Sequence, residues 1–463
     1  MISEDTLFLP ITQQSRLIKR KKLSPVELTE AYLSRIRKLD PRLHAFVTVT
    51  SDLATQQAEK AEKEIRAGLS RGPLHGVPFA AKDLFAVGGY PTTWGARPYA
   101  NQMIDQDATV IVKLRNAGAV LLGKAAMSEL AGGPPNATAT GACRTPWDLS
   151  RWSGGSSSGS GCAVAAGLAS FALGTETWGS IMTPSSFCGV TGLRPTFGRI
   201  SRTGAMALCW TMDKVGIIAR DANDTAIVLD ALRGRDQLDP YSNDTPFKPK
   251  FTKASTRVAG LRIGFVKEDY DRWGEPDVAS AFAKALDVFK EMGTKPVEVD
   301  LPHHPYEAAA TTIIAAEEAA AFEPLVKSGK VGEIIDPDRR GELLGAQLIT
   351  AVDYIRCQRL RTLMARDFTS LFTTVDIILG SSTLKCAPPI DADMDSIFGG
   401  GNIIEAAENL LGLPAVSIPC GFNKQKLPIG LKIIGRPFAD ADVLEVAHVY
   451  QSLTDWHTRH PKL

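Results

Sequence analysis

From Gly76 onward the chain breaks into short apolar runs punctuated by Gly and Pro, and these alternate with stretches of helical periodicity. Residues 77–81 read as a buried strand running into Lys82-Asp83, 108–117 as a helix and 119–122 as the next strand; a helix at 162–168 and a strand at 171–173 continue the alternation. Runs this short, apolar on every side chain, suit strands covered on both faces rather than helices. Strands separated by helices give an α/β protein built on a largely buried sheet. Further on, 261–266 reads as a strand, 277–292 as a helix and 304–372 as mostly helical. Strands at 415–418 and 431–434 and a helix at 442–453 close the chain. The polar stretch 236–257 reads as a surface connection, and 388–401, with Gly399-Gly400-Gly401, as a loop.

Two helices precede this alternation. In Ser24-Pro25-Val26-Glu27, Ser24 can cap, Pro25 suits the first turn and Glu27 completes a capping box. Leu28, Tyr32, Ile36 and Leu39 then recur at helical spacing and mark one buried stripe. Residues 52–67, rich in Ala, Glu, Lys and Gln, predict a second, more exposed helix, and the pair reads as an arm on the main body.

Composition narrows the function. Lys plus Arg number 52 against 51 Asp plus Glu, so there is no charge excess to attract nucleic acid or an anionic membrane surface. Seven Cys residues, with no C-x-x-C pair, predict free thiols rather than a disulfide framework or a structural zinc site. No apolar run approaches the roughly 20 residues of a membrane-spanning helix, and the N-terminus lacks the pattern of a secretory signal. A cytoplasmic protein is the expectation.

The most informative segment is Gly154-Gly155-Ser156-Ser157-Ser158-Gly159-Ser160-Gly161. It lacks the Lys-Ser or Lys-Thr of a nucleotide-triphosphate loop and the G-x-G-x-x-G of a dinucleotide fold. Gly155 to Gly159 fits G-x-S-x-G with Ser157 central, the elbow of an α/β-hydrolase esterase, which needs an acid and a His downstream. A second Gly/Ser segment follows, Gly174-Thr175-Glu176-Thr177-Trp178-Gly179-Ser180-Ile181-Met182.

Taken together, these segments, with Ser186-Phe187-Cys188-Gly189-Val190 and Gly192-Leu193-Arg194-Pro195, resemble the signature block of the amidase signature family. Gly76-Val77-Pro78-Phe79-Ala80-Ala81-Lys82-Asp83 resembles that family's lysine segment, and Gly412-Leu413-Pro414-Ala415 with Pro419-Cys420-Gly421 its C-terminal strands. The resemblance covers roughly 20–235 and 405–457. It implies a large mixed β-sheet covered on both faces by α-helices, in one domain spanning 1–463. Its parts are an N-terminal helical arm (1–70), a catalytic core (71–235), a substrate-facing helical region (236–404) and a C-terminal return to the core (405–463).

The resemblance also implies a triad: Ser180 as nucleophile, Ser156 as a relay held by a cis peptide, and Lys82 as base. Backbone amides of Thr177, Trp178, Gly179 and Ser180 are the implied oxyanion donors. The chemistry is coherent, because a Ser hydroxyl needs a base and Lys serves only when neutral. That requires lowering its pKa by about 3 units, which burial supplies. A hydroxyl between them both donates and accepts. No metal or organic cofactor is called for.

Two positions depart from the family, where most members carry Gly at Trp178 and many carry Arg at Met182. Loss of that cation disfavours a carboxylate-bearing substrate such as glutamine. Trp178, Trp210 and Met127 are expected to line an apolar pocket. The sequence reading is therefore a stand-alone hydrolase of amide-type C–N bonds in a neutral, bulky or aromatic amide, anilide, carbamate or ester. Its partners are expected to be a small-molecule substrate and, at most, a second copy in a homodimer, with neither nucleic acid nor membrane. The alternatives are the glutaminase subunit of a tRNA-dependent amidotransferase, an esterase using Ser157, and a non-catalytic scaffold.

Overall fold

The computed structural model describes residues 2–251, 256–266, 274–398 and 403–463. Among the described residues one 11-stranded mixed sheet organises the chain, in the order β1-β3-β2-β4-β6-β5-β10-β11-β9-β7-β8. Its strands are β1 (Phe46–Val49), β2 (Pro78–Lys82), β3 (Val120–Ala125), β4 (Phe171–Glu176), β5 (Thr191–Arg194), β6 (Lys214–Ala219), β7 (Ile263–Phe265), β8 (Val297–Glu298), β9 (Ile377–Ser381), β10 (Ala415–Phe422) and β11 (Pro428–Gly435). Helices cover both faces, so β2, β3, β5, β6, β9 and β11 are buried along their whole length. The segment 236–404 contributes β7, β8 and β9 to the same sheet as well as helices. Gly399-Gly400-Gly401 of the expected loop lies outside the described residues.

The sheet is parallel where it matters for the site. β2 pairs parallel with both β3 and β4, so all three point their C-terminal ends the same way. The crevice beyond those ends is where open α/β sheets place ligands. Lys82 is the last residue of β2 and Glu176 the last of β4. Neighbouring β6 runs antiparallel to β4, with Lys214 paired opposite Glu176.

The N-terminal arm follows the sequence pattern. Ser24 caps the Pro25–Leu43 helix, its Oγ accepting from the N–H groups of Val26 and Glu27. Leu28, Tyr32, Ile36 and Leu39 form its buried stripe. The Ser51–Arg66 helix follows and docks through Gln57, whose Oε1 accepts from the Leu121 N–H on β3.

Candidate active site

Three side chains meet at the C-terminal ends of β2 and β4. Lys82 Nζ lies 2.7 Å from Ser156 Oγ, and Ser156 Oγ lies 2.9 Å from Ser180 Oγ. Lys82 arrives on its strand; Ser156 arrives on the Gly/Ser loop, which runs straight into the Ser158–Ala165 helix. Ser180 closes the turn between β4 and the Met182–Cys188 helix. The Gly155–Ser156 peptide bond is cis. Small residues permit this approach: a Cβ on Gly155 would stand 2.5 Å from the Trp152 ring and 2.6 Å from Ser128 Oγ.

The lysine is wholly buried. Desolvation lowers its pKa to about 7 despite the opposing pull of Asp213 and Glu176. Its other hydrogen bond goes to Thr175 Oγ1 at 3.0 Å, a contact that the sequence patterns did not single out.

The turn 177–180 is braced from both sides. Thr177 Oγ1 donates to Asp213 Oδ1 at 2.5 Å, and Asp213 is itself held by the N–H groups of Leu208 and Cys209. Just past Ser180, the N–H groups of Ile181 and Met182 donate to Glu176 Oε2 at 2.7 and 3.0 Å. Burial alone would raise the Glu176 pKa, but Arg194 and Lys214 outweigh it and hold the group at about 2. Arg194 also pairs with Glu408, which in turn pairs with Lys432, all fully buried. Gly179 sits at φ +80, and a Cβ there would stand 2.7 Å from Glu405 Oε1. The backbone N–H groups of Trp178, Gly179 and Ser180 donate to no acceptor among the described residues.

A cavity of about 290 Å³ opens beside this turn and is lined by Thr175, Thr177, Asp213, Lys214, Arg202 and Trp210, among others. Of the expected pocket residues, the structure brings Trp210 to this cavity, while Trp178 is half-buried against the core and Met127 is buried within it. Met182 is fully buried and does not line the cavity. The missing cation at Met182 therefore does not set the charge of the cavity, whose cations come from other elements. Arg202 is committed to Asp239 and the Trp210 carbonyl. Lys214 Nζ reaches the Thr177 carbonyl, and its pKa is depressed to about 7, first by burial and then by Arg194. Arg361 is not one of the residues lining the cavity, but its charge reaches Lys214, which is, and among the described residues its one hydrogen bond goes to the Thr211 carbonyl at 2.8 Å. Ser157 is fully buried, and its hydroxyl bridges the backbone of Thr175 rather than facing the cavity. Among the described residues, no group of three or more His, Cys, Asp or Glu side chains is placed to hold a metal ion, and no helix is long and apolar enough to cross a membrane.

Comparison with known proteins corrects the substrate and partner expectations. The A subunit of glutamyl-tRNA(Gln) amidotransferase from Geobacter metallireducens is 37% identical over 475 residues, 96% of each chain. The structure of the corresponding protein from Thermotoga maritima is 30% identical with TM-score 0.83, covering 100% of this chain and 98% of its own. A chain from "an unexpected vestigial protein complex" that bears on the origins of an s-triazine catabolic enzyme is 29% identical with TM-score 0.89, covering 98% and 100%. The expectation of a stand-alone hydrolase for a neutral, bulky or aromatic substrate is overturned by these full-length amidotransferase relatives. Its physical error was to treat Met182 as a pocket position. The expectation of a chain that meets only a small molecule, or pairs with itself, is overturned by the same relatives, each of them one subunit of a larger enzyme. The Amidase family profile matches residues 27–444, and the chain belongs to that family.

Proposed function

We propose that the chain releases ammonia from the side-chain amide of glutamine, as the amidase subunit of an amidotransferase, through an acyl-enzyme on Ser180. The observation that carries the chemistry is the unbroken hydrogen-bonded line from Lys82 through Ser156 to Ser180. Neutral Lys82 takes a proton from Ser156 as Ser156 takes one from Ser180, and the Ser180 oxygen attacks the amide carbon. The negative charge then developing on the amide oxygen is met by the N–H groups of the 177–180 turn, where losing one donor costs about 2.7–4 kcal/mol. The Lys82 ammonium returns its proton along the same line to the leaving nitrogen, and ammonia departs. Water then repeats the sequence in the second half-reaction and frees the carboxylate.

The substrate class rests on the similarity to the amidotransferase relatives along 96–98% of this chain. A glutamine backbone carboxylate needs a cation with free donors. Arg202 and Lys214 are committed to protein acceptors, whereas Arg361 makes a single hydrogen bond among the described residues. Its planar guanidinium is suited to a bidentate grip on a carboxylate. The test is ammonia release from glutamine by the chain purified with the remaining amidotransferase subunits from its own source. Release that disappears in Ser180→Ala supports the reading; assembly without glutamine-dependent ammonia overturns it.

A further inference from the structure

Five of the sixteen large exposed apolar side chains among the described residues fall within 344–363. They lie on the end of the Pro337–Gly345 helix, the turn after it and the Ala351–Thr374 helix. The last has 24 residues, yet only Met364 and Phe368 are buried. Tyr354, Cys357, Leu360, Leu371 and Phe372 pack half-buried beside them, so the inner side supplies the apolar stripe that stabilises the helix and the outer side stays open.

The pattern on its outer side is regular. At 100° per residue, Val352, Ile355, Arg356, Arg359, Leu363 and Arg366 share an arc of about 100°, opposite Met364 and Phe368. Val352, Ile355 and Leu363 are 63%, 56% and 43% exposed, and Leu348 and Leu344, just before the helix in the chain, are exposed as well. The helix carries two carboxylates against three arginines on this face: Asp353 accepts from Thr350 at the N-cap and lies 3.5 Å from Arg356, and Asp367 holds His304 and Arg366. The face thus interleaves aliphatic side chains with arginines along its length. Exposed apolar side chains together with Arg are a mark of protein–protein interfaces.

We propose that this face docks an amphipathic helix from another subunit of the amidotransferase, one whose apolar side is edged by Asp or Glu. The occupant follows from the two features together: the aliphatic side chains between the arginines exclude a purely phosphate-directed partner, and the arginines select an acidic one. The inference rests on the reading of the chain as one subunit of an amidotransferase, and it names where its partner sits.

The inner side of the same helix connects to the site. Tyr354 donates to Glu317 at 2.8 Å, Glu317 accepts from the Thr211 N–H at 2.9 Å, and Arg361 donates to the Thr211 carbonyl. Thr211 lies two residues before Asp213, which braces Thr177. A partner that orders the outer face therefore presses on the segment that holds the 177–180 turn.

The experiment is sedimentation of the full chain with the remaining amidotransferase subunits, comparing wild type with I355E/L363E and with R356E/R359E. The expected result is a dissociation constant raised at least tenfold in both variants. Their thermal unfolding and their cleavage of a small aryl ester by the isolated chain should stay unchanged. Assembly of both variants as tight as wild type overturns the proposal while leaving the reading of the chain's function intact. Wild-type chain that releases no ammonia from glutamine and assembles with none of those subunits overturns that reading, and the proposal with it. Self-association, or binding of a duplex RNA, that the same substitutions abolish while the multi-chain complex survives assigns the face to a different occupant and overturns the proposal.

Discussion

Lys82 Nζ lies 2.7 Å from Ser156 Oγ in a wholly buried position, with Thr175 as its other hydrogen-bonded neighbour among the described residues. The cost of charging an amine in that setting makes the lysine a base near neutrality, and the behaviour of the site follows from it.

Acylation should rise with pH. Burial lowers the Lys82 pKa to about 7, so the neutral, proton-accepting form dominates above that value and is lost below it. The acylation rate is expected to fall about tenfold per unit below pH 6 and to level off above pH 8. Presteady-state acylation between pH 5 and 9 measures it. Lys82→Arg, which stays charged throughout, should abolish the profile rather than shift it.

Ser180→Ala and Ser156→Ala should differ in degree. Removing the nucleophile is expected to reduce kcat by on the order of 10⁴-fold or more. Removing the relay hydroxyl breaks the proton path but leaves the nucleophile, and a loss of about 10²–10⁴-fold is expected. Single-turnover kinetics separate the two from any change in binding.

Gly179→Ala should damage both stability and rate. The residue adopts φ +80, and an added Cβ would meet Glu405 Oε1 at 2.7 Å. About 1–3 kcal/mol of backbone strain is expected, read from urea denaturation. A drop in kcat larger than any change in KM should accompany it if the turn supplies oxyanion donors.

Arg194→Met should be costly although the residue touches no substrate. It leaves Glu176 and Glu408 without their shared guanidinium in a fully buried setting. Breaking such a pair typically costs about 3–5 kcal/mol. Because Glu176 also holds the Ile181 and Met182 N–H groups, kcat is expected to fall with it.

Arg361→Ala is expected to raise KM for glutamine at least tenfold, about 1.4 kcal/mol, with a smaller change in kcat. An amide substrate without a carboxylate should be spared. Equal losses on both substrates would mean that Arg361 serves only the Thr211 segment.

The sheet's central strands were legible because β2, β3 and β4 are short and apolar on both faces, and their termini bear the Lys82 and Gly174–Ser180 patterns. The helix cap at Ser24 was legible because both N–H groups that its Oγ accepts from, those of Val26 and Glu27, lie within three residues. The rest depends on distance along the chain. Arg361 and Thr211 are 150 residues apart, and Arg194 reaches a carbonyl at Leu413, 219 residues on. No local pattern announces such contacts. Met182 misled for a related reason: a sequence shows that a cation is missing but not that the side chain points into the core. Trp210 lines the cavity, and its place there depends on the path of the chain around it and not on any local pattern.

The most direct measurement is labelling of the intact chain with a fluorophosphonate followed by peptide mapping, in the wild type and in Lys82→Met. The line from Lys82 to Ser180 predicts one adduct, on the Ser180 hydroxyl, forming at least a hundredfold more slowly in the variant. An adduct on Ser157 or any other residue, or labelling of Ser180 that ignores the loss of Lys82, would contradict it.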